Sequence, residues 1–112
     1  MAAAAIDPVV FAELQATAGA DFVRELIDTF LEEAPPMLAE LNDALGAGRA
    51  EPFRRAAHSL KSNASTFGAL TLAAMARDLE LQGLEAATPA ALAALAQQYE
   101  AAAAELKALR DA

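Results

Sequence analysis

The stretch Phe53-Arg54-Arg55-Ala56-Ala57-His58-Ser59-Leu60-Lys61-Ser62-Asn63-Ala64-Ser65-Thr66-Phe67-Gly68 reads as one helix with two unlike faces. At about 100° per residue, Phe53, Ala57, Leu60, Ala64 and Phe67 fall within about 80° of one another, a stripe suited to a core. His58, the only histidine of the chain, lies about 140° round from Phe53 and outside that stripe. On the same wheel Arg54 falls at about 100°, Lys61 at about 80°, Ser65 at about 120° and Ser62 at about 180°. The spacing presents an imidazole to solvent, beside cations and side chains small enough to let another surface approach. The glycine at 68 marks the end of the helix.

Helical signals continue on both sides of this segment. Asp7-Pro8 is an N-cap followed by proline at the first helical position and opens a short helix over about 8–17, broken by Gly19. Asp21 is then expected to cap a long amphipathic helix in which Val23, Leu26, Phe30, Ala34, Leu38, Leu41 and Leu45 recur at steps of three and four. Pro35-Pro36 falls in its middle and predicts a kink or a break. The apolar phase persists across the prolines, which favours one kinked helix, ended by Gly46 and Gly48. After the His58 helix (about 51–68) comes one over about 71–83, with Leu72, Met75, Ala76 and Leu79 inward. Thr88-Pro89 repeats the cap-then-proline signal and opens a last helix with a seam at Leu92, Leu95, Tyr99, Ala102, Leu106 and Leu109. The pattern predicts an all-α chain: an antiparallel up-down-up-down four-helix bundle with a short additional N-terminal helix, one domain over residues 1–112.

Composition agrees with that fold and removes whole classes of function. The 112 residues suffice for a single core. They include 33 alanines, the strongest helix former, and no cysteine, which excludes disulfides and thiolate chemistry. No basic and apolar leader opens the chain, and no apolar run is long enough to span a bilayer, so a cytoplasmic protein without membrane contact is expected. A net charge of −8 argues against nucleic acid as a partner. Against that acidic background Arg54, Arg55 and Lys61 form a local basic group, readable as a docking surface or as an ordinary solvated face.

Most catalytic chemistries lack their parts. One exposed histidine among cations is a poor metal site. Gly46-x-Gly48 has neither the preceding strand nor the further glycines of a phosphate loop. Ser59, Ser62 and Ser65 stand near His58, but a hydrolase triad also needs an orienting acid and an oxyanion hole, and a helix-interior serine faces its own turn with no free backbone N–H groups beside it. There remains the imidazole as nucleophile toward an anionic electrophile, with a lysine one turn on to offset the charge of a transferred phosphoryl group. The alternative is a solvated surface histidine, and spacing alone leaves both open.

The run Ala57-His58-Ser59-Leu60-Lys61 followed by Gly68-Ala69 resembles the histidine-containing phosphotransfer (HPt) domains of two-component phosphorelays. Their pattern is a His, a Lys three residues later, small residues through the next turn and a Gly ten residues after the His. The resemblance implies that His58 is the phosphoacceptor, reacting through Nε2, and that Lys61 neutralises the phosphoryl charge. It implies that Glu80, 22 residues beyond the His, hydrogen-bonds Nδ1; a solvated surface glutamate is the other reading. Where the family often has Gly after the Lys, this chain has Ser62. Arg54, Arg55, Ser62, Ser65 and Gly68 become the expected partner-binding residues, with Phe11, Leu14 or Phe22 as apolar docking positions.

The expected function is therefore a monomeric phosphoryl carrier without kinase activity or cofactor of its own. It would exchange phosphate between response-regulator receiver domains and a hybrid sensor histidine kinase, with Mg²⁺ supplied by the receiver. Two rivals are a helical adaptor that carries no phosphate and the phosphoacceptor domain of a chemotaxis-type kinase.

Overall fold

In a computed structural model that describes residues 4–112, all regular structure is helical. The elements are α1 (Pro8–Ala18), α2 (Ala20–Ala47), α3 (Ala50–Phe67), α4 (Leu70–Gln82) and α5 (Pro89–Asp111), with a 3₁₀ turn over Leu84–Ala86 before the last helix. Helices α2 to α5 close a ring in which α2 packs on α3, α3 on α4, α4 on α5 and α5 back on α2. Short connections between successive helices make neighbours antiparallel. Helix α1 lies across α2 and α3.

The two cap-then-proline signals are used as written. Asp7 accepts from the backbone N–H groups of Val9 and Val10, and Thr88 accepts from that of Ala91. Asp21, in contrast, is not a cap. Gly19 occupies that position, α2 starts one residue before Asp21, and the Asp21 carboxylate pairs with Arg24 at 2.6 Å. Helix α2 also runs through Pro35 and Pro36 as one element. Each proline leaves a carbonyl one turn back without its donor. Both prolines and Glu32 are on the solvent side, whereas Phe30, Ala34 and Leu41 are buried on the opposite side and hold the helix in register across the gap. Gly46 is inside the helix, and Gly48 in a left-handed conformation ends it.

The core is built from Phe53, Ala57, Leu60, Ala64 and Phe67 of α3 against Leu72, Ala76 and Leu79 of α4, Leu92, Leu95, Tyr99 and Leu106 of α5, and the buried stripe of α2. Phe30 joins three helices, its ring centroid 5.4 Å from that of Phe67 and 5.8 Å from that of Tyr99. On α2 the buried stripe is Val23, Ile27, Phe30, Ala34, Leu41 and Ala44; Leu26, Leu38 and Leu45 are only partly covered. Met75 is likewise half-buried, and Leu109 is exposed. On α2 the buried positions are Ile27 and Ala44 where the periodicity points to Leu26 and Leu45, because the adjacent positions are both apolar; the expected seams of α4 and α5 are buried at Leu72, Ala76 and Leu79 and at Leu92, Leu95, Tyr99, Ala102 and Leu106.

Gly68 fixes how α1 meets the bundle. Its φ of +80° suits glycine, and a Cβ there would come within 2.8 Å of the Val10 Cβ and 3.0 Å of the Asp7 carbonyl oxygen. The Asp7 N–H donates to the Gly68 carbonyl at 2.8 Å, so the end of α3 and the start of α1 are joined through backbone.

Candidate functional site

Helices α3 and α4 form the tightest antiparallel pair of the bundle, turned by Gly68 and Ala69 alone. That hairpin brings residue 80 back alongside residues 58 and 61. Alanines at 57, 64, 73 and 76 are buried in the seam and let the two backbones approach. His58 stands on the outer slope of α3 with 54% of its side chain exposed, while Glu80 retains only 12%.

One carboxylate organises the site. Oε2 of Glu80 lies 2.6 Å from Nδ1 of His58, and Oε1 accepts from Nζ of Lys61 at 2.8 Å. The Lys61 ammonium, and after it the His58 ring, hold the Glu80 carboxyl below the usual carboxylate range, against a partial desolvation that pushes it up. At neutral pH it is ionised and can only accept, so Nδ1 carries the proton and Nε2 is left with the lone pair. Nε2, on the far side of the ring from Nδ1, is thereby turned away from Glu80.

The basic group expected around His58 is not assembled as one. Arg54 is tied to Glu51 on its own helix, an ion pair that lowers the Glu51 carboxyl and raises the guanidinium. Arg55 turns the other way and lines a groove with Glu40 and Asp43 of α2. Lys61 is held by Glu80. The sequence shows three cations on one helix but not that each faces a different carboxylate neighbourhood. Among the described residues no cluster of three or more His, Asp or Glu is placed to hold a metal ion.

The family model described as the Hpt domain matches residues 25–108, three-quarters of the chain, including His58, Lys61 and Glu80. The chain belongs to the Hpt domain family. The crystal structure of histidine-containing phosphotransfer protein B (HptB) from Pseudomonas aeruginosa PAO1 superposes with a TM-score of 0.87 at 30% identity, over 98% of this chain and 97% of that one. The sensor protein TorS of Escherichia coli (strain K12) is 34% identical over 71 residues, 63% of this chain but 8% of TorS. The chain thus spans under a tenth of that relative's length.

Within this Hpt domain the remaining expected surface residues divide. Ser62 and Ser65 are exposed on either side of the His58 ridge, and Phe22 is exposed at the start of α2. Gly68 and Phe11 are buried and belong to the packing of α1 against the bundle, not to a docking surface. Leu14 is half-covered. Helical phase gave no warning for Gly68, because its close neighbours Asp7 and Val10 come from a distant part of the chain.

Proposed function

We propose that this Hpt domain carries a phosphoryl group on Nε2 of His58 between receiver-domain aspartates of a two-component phosphorelay. The observation that carries this reading is the Nδ1–Glu80 hydrogen bond on a half-exposed ring. It fixes the tautomer whose free nitrogen faces an incoming partner. The Nε2 lone pair attacks the phosphorus of an aspartyl phosphate, the P–O bond breaks, and the aspartate leaves as carboxylate with the bonding pair. The Nδ1 proton stays in place, so the phosphorylated ring is an imidazolium cation facing the Glu80 anion. The reverse sequence returns the group to a second aspartate.

The chain supplies the nucleophile, its orientation and a nearby ammonium, but no nucleotide-binding loop. In this reading the chain is a monomeric carrier that leaves kinase chemistry to its donor and needs no cofactor of its own, and the receiver brings the Mg²⁺. Ser62 and Ser65 leave room for the receiver to reach His58. No described helix is long and apolar enough to cross a membrane. The donor in this reading is a hybrid sensor kinase and the relay is cytoplasmic.

The test is incubation with phosphorylated receiver domains, followed by acid and alkali treatment. Label that is acid-labile, alkali-stable and missing from His58→Gln is the expected result. An adaptor would take no label and would keep its function in His58→Gln. Labelling by an ATP-binding kinase domain but by no receiver would move the chain to a kinase phosphoacceptor.

A further inference from the structure

The ion pairs around His58 are complete before any phosphate arrives. Lys61 holds Glu80 at 2.8 Å, and Arg54, one turn back, holds Glu51. A phosphoryl group on Nε2 brings about two negative charges to a place where neither neighbouring cation is free. A cation that turns to the phosphoryl oxygens does so at the expense of the carboxylate it now holds.

We infer that phosphorylation exchanges the partners of Glu80: Lys61 leaves its carboxylate for the phosphoryl oxygens, and the phospho-imidazolium takes its place. This rests on His58 being the phosphoacceptor. Charge balance selects Lys61 over Arg54. Forming the N–P bond leaves a proton and a positive charge on Nδ1, which already lies 2.6 Å from Glu80 Oε2. Glu80 thus gains a full cation in the step that creates an anion at Nε2, and it no longer needs the ammonium. Release of Arg54 would instead leave Glu51 with no replacement cation. The ammonium sits on a flexible four-carbon stem that is 28% exposed, so it can swing without moving the backbone. Glu80 is in this sense a positioning residue for both its partners. It stores the lysine in the free carrier and moderates how firmly the carrier keeps its phosphate, which suits a protein that must give the group up again.

The exchange predicts a definite sign of coupling. In the wild type, the stabilisation Lys61 offers the phosphoryl group is offset by loss of its bond to Glu80. In Glu80→Gln, which still accepts from Nδ1, that offset is small. Lys61→Ala should therefore lower the equilibrium fraction of phosphorylated His58 more in the Glu80→Gln background than in the wild type, by about threefold or more. Equilibrium with one receiver domain that labels the wild type measures this, with circular dichroism to confirm that each variant is folded. The ¹⁵Nζ signal of Lys61 should also shift on phosphorylation of the wild type. Arg54→Ala should give equal losses in both backgrounds. Label on His58 with equal Lys61→Ala losses, or coupling through Arg54 instead, overturns the exchange alone. Absence of label from the wild-type protein overturns the carrier reading and the exchange with it.

Discussion

The two faces of α3 are held by different physics. On the inner face Phe53, Ala57, Leu60 and Ala64 are completely buried, and their positions follow from close packing against three other helices. On the outer face His58 is half exposed and owes its orientation to one carboxylate on the neighbouring helix. The inner face tolerates no change of volume without loss of stability. The outer face tolerates changes of shape but not the loss of a particular nitrogen, proton or charge. A helix can therefore carry an exposed reactive group in a fixed geometry, provided its other side is locked.

This contrast breaks most cleanly at His58. His58→Gln is expected to remove phosphoryl acceptance entirely while leaving the denaturant midpoint where it was, as read by label transfer and urea unfolding on the same preparation. The opposite pattern belongs to Phe53→Ala, which should cost about 3–5 kcal/mol of stability through the cavity it leaves. Labelling per folded molecule should persist in that variant. If it vanished while the chain was still folded, the two faces would be less separate than their packing implies.

Gly68→Ala tests the junction with α1. Its new methyl group meets Val10 in a left-handed backbone conformation, and a loss of about 1–3 kcal/mol in urea unfolding is expected. Phosphotransfer per folded molecule should change little, since Gly68 is packed beneath the surface.

Acid titration sharpens the outer face. Because the folded Glu80 carboxyl titrates below its unfolded value, near pH 4.3 for a free glutamate, its contribution is complete above that range. It is lost as the pH falls through the lowered folded value. The difference in urea midpoint between wild type and Glu80→Gln should shrink as the pH is lowered from about 5 through the carboxylate range. The smallest effect is expected from Arg54→Ala. Its pair with Glu51 is intrahelical and solvent-screened, and the unfolding midpoint should be unmoved.

Much of this was legible in the sequence because helical phase is local. The inner stripe of α3, the outward placement of His58 and the two proline-marked helix starts need only the 3.6-residue period and capping chemistry. Glu80 is legible only through the family resemblance, whose pattern has a Gln or Glu 22 residues beyond the His; the two-residue connection between α3 and α4 is what brings that residue alongside His58. What escaped depends on contacts between segments. Ile27 rather than Leu26 is buried because packing chooses between two adjacent apolar stripes. Pro35-Pro36 does not break α2 because both prolines are on the solvent side while Phe30, Ala34 and Leu41 hold the opposite side in the core. The partners of Arg54, Arg55 and Lys61 depend on where the acids of three helices end up, which no count of charges along one helix reveals.

The most direct test of the account is a ³¹P–¹⁵N correlation spectrum of the chain phosphorylated by a receiver domain. It should show a single phosphorus bonded to Nε2 of His58, with Nδ1 still protonated. Phosphorus on Nδ1, or on any residue other than His58, would contradict it.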